Sequence, residues 1–404
     1  MANNTICIVG LGYVGLPLAH AFAVAGYDVS GYDIRTERIA ELQEGFDSTN
    51  ELSETKLKEC TIKYNTDPSI IKDKRFIILA IPTPVTDDKR PDLSLLEAAT
   101  KTVAEHMNEN AIVVFESTVY PGVTEKICGE ILRTSGKNFK LGYSPERINP
   151  GDKEHTIDKI VKVVAGEDDK TTDVLIELYG KIIPAGTHRA PNIKVAEMAK
   201  AIENAQRDLN IAYINEVAMM CNKLDISTRD VLDAAETKWG FLPFTPGLVG
   251  GHCIGVDPYY LVAKAEELGM NTNIITAGRS TNDGMAAYVA SHVADTLKDE
   301  KEVLILGLTF KENVPDTRNA GAGEVAKHLE KEGCTVTLHD PFMNDAAPEG
   351  TFDAILLLVP HDEYRKMGAA DFKKLAKTHC LFYDLKSVMK KEEIEKEGMT
   401  YLAL

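Results

Sequence analysis

Shortly after its start, the chain runs from an apolar, strand-like stretch at residues 6–9 into Gly10-Leu11-Gly12-Tyr13-Val14-Gly15. A helix-like stretch through Leu18, Ala19, Phe22 and Ala23 follows at once. Few local patterns restrict a fold so tightly. Glycines at the first, third and sixth places of a strand-to-helix turn open a βαβ unit. They permit the sharp turn, let backbone approach a pyrophosphate and allow close helix packing. The helix N-terminus adds N–H donors and a favourable dipole. Asp33 stands 18 positions after Gly15 and ends the next strand-like run, YDVSGYD. A carboxylate there accepts from ribose hydroxyls and repels a 2′-phosphate, so NAD is expected over NADP, with Arg35 and Arg38 the features that speak for NADP. Gly10, Gly12, Tyr13, Val14, Gly15, Asp33 and Arg38 are the expected cofactor contacts. Thr83 and Thr118 join them, because each follows a strand-like run (76–81 and 113–116) and so falls at the carboxyl end of a parallel strand.

The same texture continues to about residue 190. TICIVG, YDVSGYD, RFIILAI, AIVVFES and IVKVVAG read as strands separated by amphipathic helical stretches, the pattern of a parallel sheet with right-handed crossovers. Beyond Pro191 comes one long helical run over about 193–224 and a mostly helical region to about 284. Met198, Ile202, Ala205 and Leu209 recur at helical spacing and read as its core face. Strand signals return in EVLILGLTF, CTVTLHD, FDAILLLV and CLFYDL, a second and smaller α/β domain, with Gly307 echoing Gly10 at a strand end. The expected domains are 1–190, 191–284 and 285–404, with the long helix as the joint.

Composition removes several function classes. With 45 Lys+Arg against 62 Asp+Glu the formal net charge is −17, which argues against nucleic acid or a membrane surface as partner. Seven cysteines stand singly with no CxxC pair, so neither a disulfide framework nor a metal site is expected. The first residues lack the basic region of a signal peptide, and no uncharged stretch approaches the roughly 18–20 apolar residues of a membrane span. A cytoplasmic enzyme is the expectation.

Candidate chemistry concentrates in Gly247-Leu248-Val249-Gly250-Gly251-His252-Cys253-Ile254-Gly255-Val256-Asp257-Pro258. Glycines around one thiol and one carboxylate suit a loop that approaches a ligand closely. There Cys253 can attack a carbonyl and Asp257 can take or steer protons; the alternative is a packed loop thiol beside a turn residue. His252 is set aside as a partner of Cys253, since adjacent side chains generally point apart. Lys200 and Asn204, four apart, share one helix face. A partly desolvated lysine suits a developing oxyanion, although helix lysines commonly reach to solvent. Glu146 can reach the same cleft or pair with Arg147 at the surface.

Taken in order, GLGYVGLPLA, STVYPG, SPERINPGD, the Lys200/Asn204 pair, GGHCIGVDPYY and GLTFKENVPDTRN resemble the nucleotide-sugar 6-dehydrogenases of the UDP-glucose/GDP-mannose dehydrogenase superfamily, over essentially the whole chain. The resemblance implies two Rossmann-like, doubly wound α/β domains joined by a central helix that also forms a homodimer interface. It further implies four-electron oxidation of a sugar C6 alcohol by two NAD+. Cys253 would capture the aldehyde as a thiohemiacetal that becomes a thioester. Lys200 would stabilise the oxyanion with Asn204 positioning it, Asp257 and Thr118 would hold the catalytic water, and Glu146 would assist proton transfer and hydrolysis. Lys311 and Arg318 match positions that reach substrate and NAD, and Arg147 and Gly250 complete the expected substrate contacts. Pro150 and Val256 stand where UDP-glucose enzymes typically have Glu and Lys, so a UDP-N-acetylhexosamine is expected. UDP-N-acetylglucosamine comes first, then the galactosamine and mannosamine epimers, then UDP-glucose. The competing readings are a two-electron β-hydroxyacid dehydrogenase, which has no need of Cys253 or a third domain, and a non-catalytic NAD-binding regulator, which would not need Cys253, Lys200 and Asp257 together.

Overall fold

The computed structural model describes residues 4–147, 159–251, 253–297, 301–343 and 347–404. The chain forms two compact units, Met1–Glu203 with Tyr259–Gly269, and Asn204–Pro258 with Met270–Leu404.

In the first unit, eight strands form one sheet: β1 (Thr5–Val9), β2 (Asp28–Tyr32), β3 (Lys63–Asn65), β4 (Phe76–Leu79), β5 (Ala111–Phe115), β6 (Phe139–Tyr143), β7 (Lys162–Gly166) and β8 (Thr187–Arg189). Their order is β3-β2-β1-β4-β5-β6-β7-β8, parallel except where β7 runs against β6. The first six follow the doubly wound dinucleotide order, whose ligand crevice opens at the carboxyl ends beside β1 and β4. β4 and β5 are buried at every position, which is why they read as unbroken apolar runs. β3 and β8 are short and polar, and β6 is interrupted by Lys140 and Gly142, so none of the three announces itself in the sequence. Gly142 is required by packing, since a Cβ there would lie 2.4 Å from Leu175 Cδ1.

The second unit holds a five-stranded, all-parallel sheet: β9 (Glu302–Leu306), β10 (Thr335–His339), β11 (Phe352–Leu357), β12 (Ala376–Asp384) and β13 (Thr400–Ala403), ordered β10-β9-β11-β12-β13. Its first strand ends as β1 does. Gly10 N donates to Tyr32 O at 2.8 Å, and Gly307 N donates to His339 O at 2.9 Å. Both glycines have positive φ, +91° and +90°, and both crowd a neighbouring carbonyl, so the turn excludes a side chain in each sheet. β13 was not evident in the sequence.

The long helix spans Ile193–Leu224, the bounds its periodicity indicates, and helices Thr228–Glu236, Asp257–Glu267 and Asn273–Thr296 follow. One expectation is corrected. Met198 and Ile202 are 44% and 48% exposed, so the Met198/Ile202 stripe is not the core face. The buried face instead carries Ala196, Ala201, Ala205 and Ala212 together with Glu197, Lys200, Asn204, Asp208 and Asn215. Small residues let the helix pack closely, and the polar ones are buried beside them. Among the described residues, no helix is long and apolar enough to cross a membrane.

Candidate active site

The glycine loop is built as a nucleotide cradle. A Cβ on Gly15 would lie 1.8 Å from Gly10 O, so Gly15 is fixed by the turn itself. Gly12 differs, because a Cβ there would meet nothing within 4 Å. The open space in front of Gly12 fits a ligand backbone, as a pyrophosphate at a helix N-terminus requires. Asp33, largely buried, accepts from Leu11 N at 2.9 Å and Arg35 N at 3.0 Å, which sets its carboxylate at the mouth of the loop. Arg38 lies behind this loop. Its Nε donates to Leu11 O at 2.8 Å, and its guanidinium pairs with Glu41 and Asp47. The ends of β4 and β5 are joined through Thr83, whose hydroxyl donates to Thr118 O at 2.7 Å, and Tyr260 donates its hydroxyl to Thr83 O. Glycine loop, Asp33 and the Thr83/Thr118 edge therefore fit a dinucleotide cofactor.

In the same unit Lys200 is buried on the long helix, 7% exposed, which desolvates its side chain. Glu197, one turn earlier, is fully buried and accepts from Gly122 N at 2.5 Å and Thr124 N at 2.9 Å, tying the helix to the loop that follows Thr118. Burial pushes the Glu197 carboxyl up to about 7 despite those two donors. Glu146 follows β6, with Arg147 N donating to its Oε1 at 2.6 Å. The Arg147 guanidinium turns away, to Glu203 at 2.9 Å and Val161 O at 2.7 Å. Pro150, like the rest of 148–158, lies outside the described residues, as does His252.

In the second unit, Asn204 on the long helix donates to Asp257 Oδ2 at 2.5 Å, and both are buried. Asp257 opens helix Asp257–Glu267, and its N–H donates to Cys253 O at 2.9 Å, so the thiol-bearing turn is also a helix start that favours a carboxylate. Cys253 is exposed, unlike the buried Cys7, Cys128, Cys221, Cys334 and Cys380. The loop is held at its other end by Asn215, whose side chain accepts from Gly247 N at 2.8 Å and donates to Gly247 O at 3.1 Å. Asn282 and Arg279 anchor that amide in turn through Asp208. Asn215, Glu197 and Asp208 were not singled out from sequence; a polar residue recurring on one helix face every three to four positions was the available signal.

Gly250 packs against the segment after β9. A Cβ there would lie 2.8 Å from Asn319 O, and Asn319 Nδ2 donates to Gly251 O at 3.2 Å. Beside it, a cavity of about 320 Å³ is lined by Leu248, Gly250, Phe310, Lys311, Val359 and Lys386, at carboxyl ends of β9, β11 and β12. Lys386 was missed in the sequence. Burial lowers its tendency to hold a proton, so an anion entering the cavity meets a cation that gains from pairing. Arg318, half-exposed, is clamped on Asp316 at 2.7 Å. Asp340 occupies the place in this unit that Asp33 holds in the first, but it is wholly buried and bonded to Leu308 N, Thr309 N and His361 Nε2. Those donors, working against burial, hold its carboxyl down to about 2. Asp340 is thus committed to fixing the Lys311 segment. No group of three His, Cys, Asp or Glu side chains placed to hold a metal occurs among the described residues.

Known proteins resemble this chain over nearly its whole length. The UDP-glucose/GDP-mannose dehydrogenase family matches in three parts: its NAD binding domain over residues 4–183, its central domain over 194–284 and its UDP binding domain over 304–391. The chain is 45% identical to a UDP-N-acetyl-D-glucosamine 6-dehydrogenase of Pseudomonas aeruginosa, covering 97% of this chain and 99% of that one. It is likewise 45% identical to an enzyme of the same name from Salmonella typhi, covering 96% and 97%. A solved UDP-D-ManNAc dehydrogenase from Pyrococcus horikoshii superposes with a TM-score of 0.90 at 29% identity, covering 99% and 98%. With its glycine cradle inside the NAD-binding match and its lysine-lined cavity inside the UDP-binding match, this chain belongs to the UDP-glucose/GDP-mannose dehydrogenase family of NAD-dependent oxidoreductases.

Proposed function

We propose that the protein oxidises the C6 hydroxyl of UDP-N-acetylglucosamine to the carboxylate, using two NAD+ per sugar, for cell-surface polysaccharide precursors. The observation that carries this choice of sugar is the 45% identity, over nearly the full length of both chains, to two enzymes named for that substrate; the mannosamine enzyme of Pyrococcus horikoshii stands at 29%.

NAD, when bound to the Gly10–Gly15 loop, accepts hydride from C6. The remaining work falls to the side chains. Lys200 and Asn204 stabilise negative charge on the C6 oxygen, where a desolvated ammonium is worth far more than in water. Cys253 adds to the aldehyde, and the adduct stays covalently held for the second oxidation rather than diffusing away as a hydrate. Asp257, oriented by Asn204, steers the water together with Thr118, and Glu146 takes the water's proton as the thioester opens. Lys311, Lys386 and Gly250 receive the nucleotide diphosphate, Arg318 serves the cofactor, and Arg147 contacts substrate once its guanidinium leaves Glu203. The protein acts in the cytoplasm as a homodimer, for which the exposed Met198, Ile202, Tyr213, Met220 and Leu224 of the long helix offer apolar surface.

Initial rates of NADH formation with the UDP-activated N-acetylglucosamine, N-acetylgalactosamine, N-acetylmannosamine and glucose test the choice of sugar. N-acetylglucosamine is expected to have the highest kcat/KM. A preference for UDP-glucose over all three N-acetylated sugars would overturn it.

A further inference from the structure

A buried charged cluster in the first unit has no part in the chemistry assigned above. Glu116 follows β5, Lys162 opens β7 and Tyr179 lies in helix Asp169–Gly180, all essentially inaccessible. The Lys162 ammonium forms an ion pair with Glu116 Oε2 and sits 5.4 Å above the Tyr179 ring, while the Tyr179 hydroxyl donates to Glu116 Oε1 at 2.5 Å. A lysine needed only to neutralise Glu116 would stop there. Lys162 instead also donates to Pro145 O at 3.2 Å and lies 3.9 Å from Glu146 Oε2. Around it the backbone of 144–146 is pinned to the sheet. Ser144 N donates to Phe115 O at 3.0 Å, Ser144 Oγ to Val163 O at 2.9 Å and Glu146 N to Glu116 O at 3.4 Å.

We propose that Lys162 is a positioning residue for Glu146: anchored on Glu116 and Tyr179, its ammonium holds the Pro145–Glu146 turn and keeps the Glu146 carboxylate aimed for thioester hydrolysis. The inference rests on the role given to Glu146 above. In that step water oxygen bonds to the thioester carbon, one water proton passes to Glu146, the C–S bond breaks and its electron pair goes to Cys253 sulfur. Sulfur is reprotonated from Glu146, and the carboxylic acid releases its proton to solvent; no electrons leave the pair of reactants. Among the described residues, the charged groups near Glu146 include Lys162 from β7, Glu116 after β5, Arg147 beside it and Glu51 from the segment after helix Thr36–Gln43. Burial, with Asp47 and Glu146 adding to it, pushes the Glu51 carboxyl up to about 7. Of these, Lys162 brings its ammonium to the Glu146 carboxylate. Without it, the turn loses the donor to Pro145 O and the carboxylate loses the charge that aims it, and a misplaced base transfers protons poorly.

The test uses full-length enzyme with NAD+ and UDP-N-acetylglucosamine, comparing Lys162→Met, Lys162→Arg and Glu146→Gln by rapid-mixing NADH absorbance and intact-protein mass. Lys162→Met is expected to keep the first burst of NADH, to lose about ten- to a hundred-fold in steady-state kcat, and to accumulate an acyl adduct on Cys253. KM for NAD+ is expected to stay unchanged, with Lys162→Arg restoring most of the rate. A parallel loss of burst and steady state without adduct, or no loss at all, overturns the proposal. If Glu146→Gln turns over without adduct, the role of Glu146 itself is wrong; if Glu146→Gln traps the adduct and Lys162→Met does not, only the role of Lys162 is wrong. Should Lys162→Met fail to fold because Glu116 is left unpaired, Glu116→Gln/Lys162→Met removes both charges and must trap the same adduct.

Discussion

At the scale of single residues, the inward face of the long helix buries five polar side chains: Glu197, Lys200, Asn204, Asp208 and Asn215. Each is unfavourable there unless partnered, and four of the five have partners that are loops bearing candidate chemistry, or residues that brace those loops. Glu197 gives this a measurable sign. Burial raises its carboxyl from 4.5 to about 7, so the folded state binds the proton more tightly than the unfolded chain. Its favourable contribution is present below about pH 4.5 and is lost as pH rises through about 7, on the order of 3 kcal/mol at most. Thermal unfolding of wild type and Glu197→Gln across pH 4.5 to 8 is therefore expected to show the wild type's advantage shrinking as pH rises. A difference independent of pH would contradict this reading of Glu197.

At the scale of elements, the thiol-bearing loop is fixed at both ends, by Asn215 on Gly247 and by Asn204 on Asp257. Asn215→Ala would leave the buried N–H of Gly247 without its acceptor, at a cost of about 1–3 kcal/mol. Urea unfolding should register that loss as a lower midpoint with the slope unchanged, whereas a change below about 0.5 kcal/mol would mean that the loop holds itself. Much of this scale was legible beforehand. β1, the glycine turn and the long helix were readable because glycine spacing and apolar period leave few alternatives. β6 was not, because Lys140 and Gly142 break its pattern and only the position of Leu175 explains the glycine. The buried face of the helix was misassigned because apolar period alone cannot separate Met198 and Ile202, which are exposed, from alanines that pack. Lys162 was not singled out within the strand-like run IVKVVAG, its partner Glu116 being 46 positions away.

At the scale of the whole molecule, one strand–glycine–acid turn is used twice with different ends. In the first unit Asp33 steadies the glycine loop from the cofactor side. In the second, Asp340 is sealed beneath the Lys311 segment by His361, and the lysine-lined cavity is the place proposed for a diphosphate. The NAD binding and UDP binding matches thus fall on separate sheets, and in the proposed function Cys253 is what allows two oxidations of the same sugar. The yield of NADH at completion with limiting UDP-N-acetylglucosamine, measured beside Cys253→Ser, reads this directly. Two NADH per sugar, lost in the variant, is the expected result. One NADH per sugar in the wild type would contradict the thioester route and reduce the protein to a simple alcohol dehydrogenase.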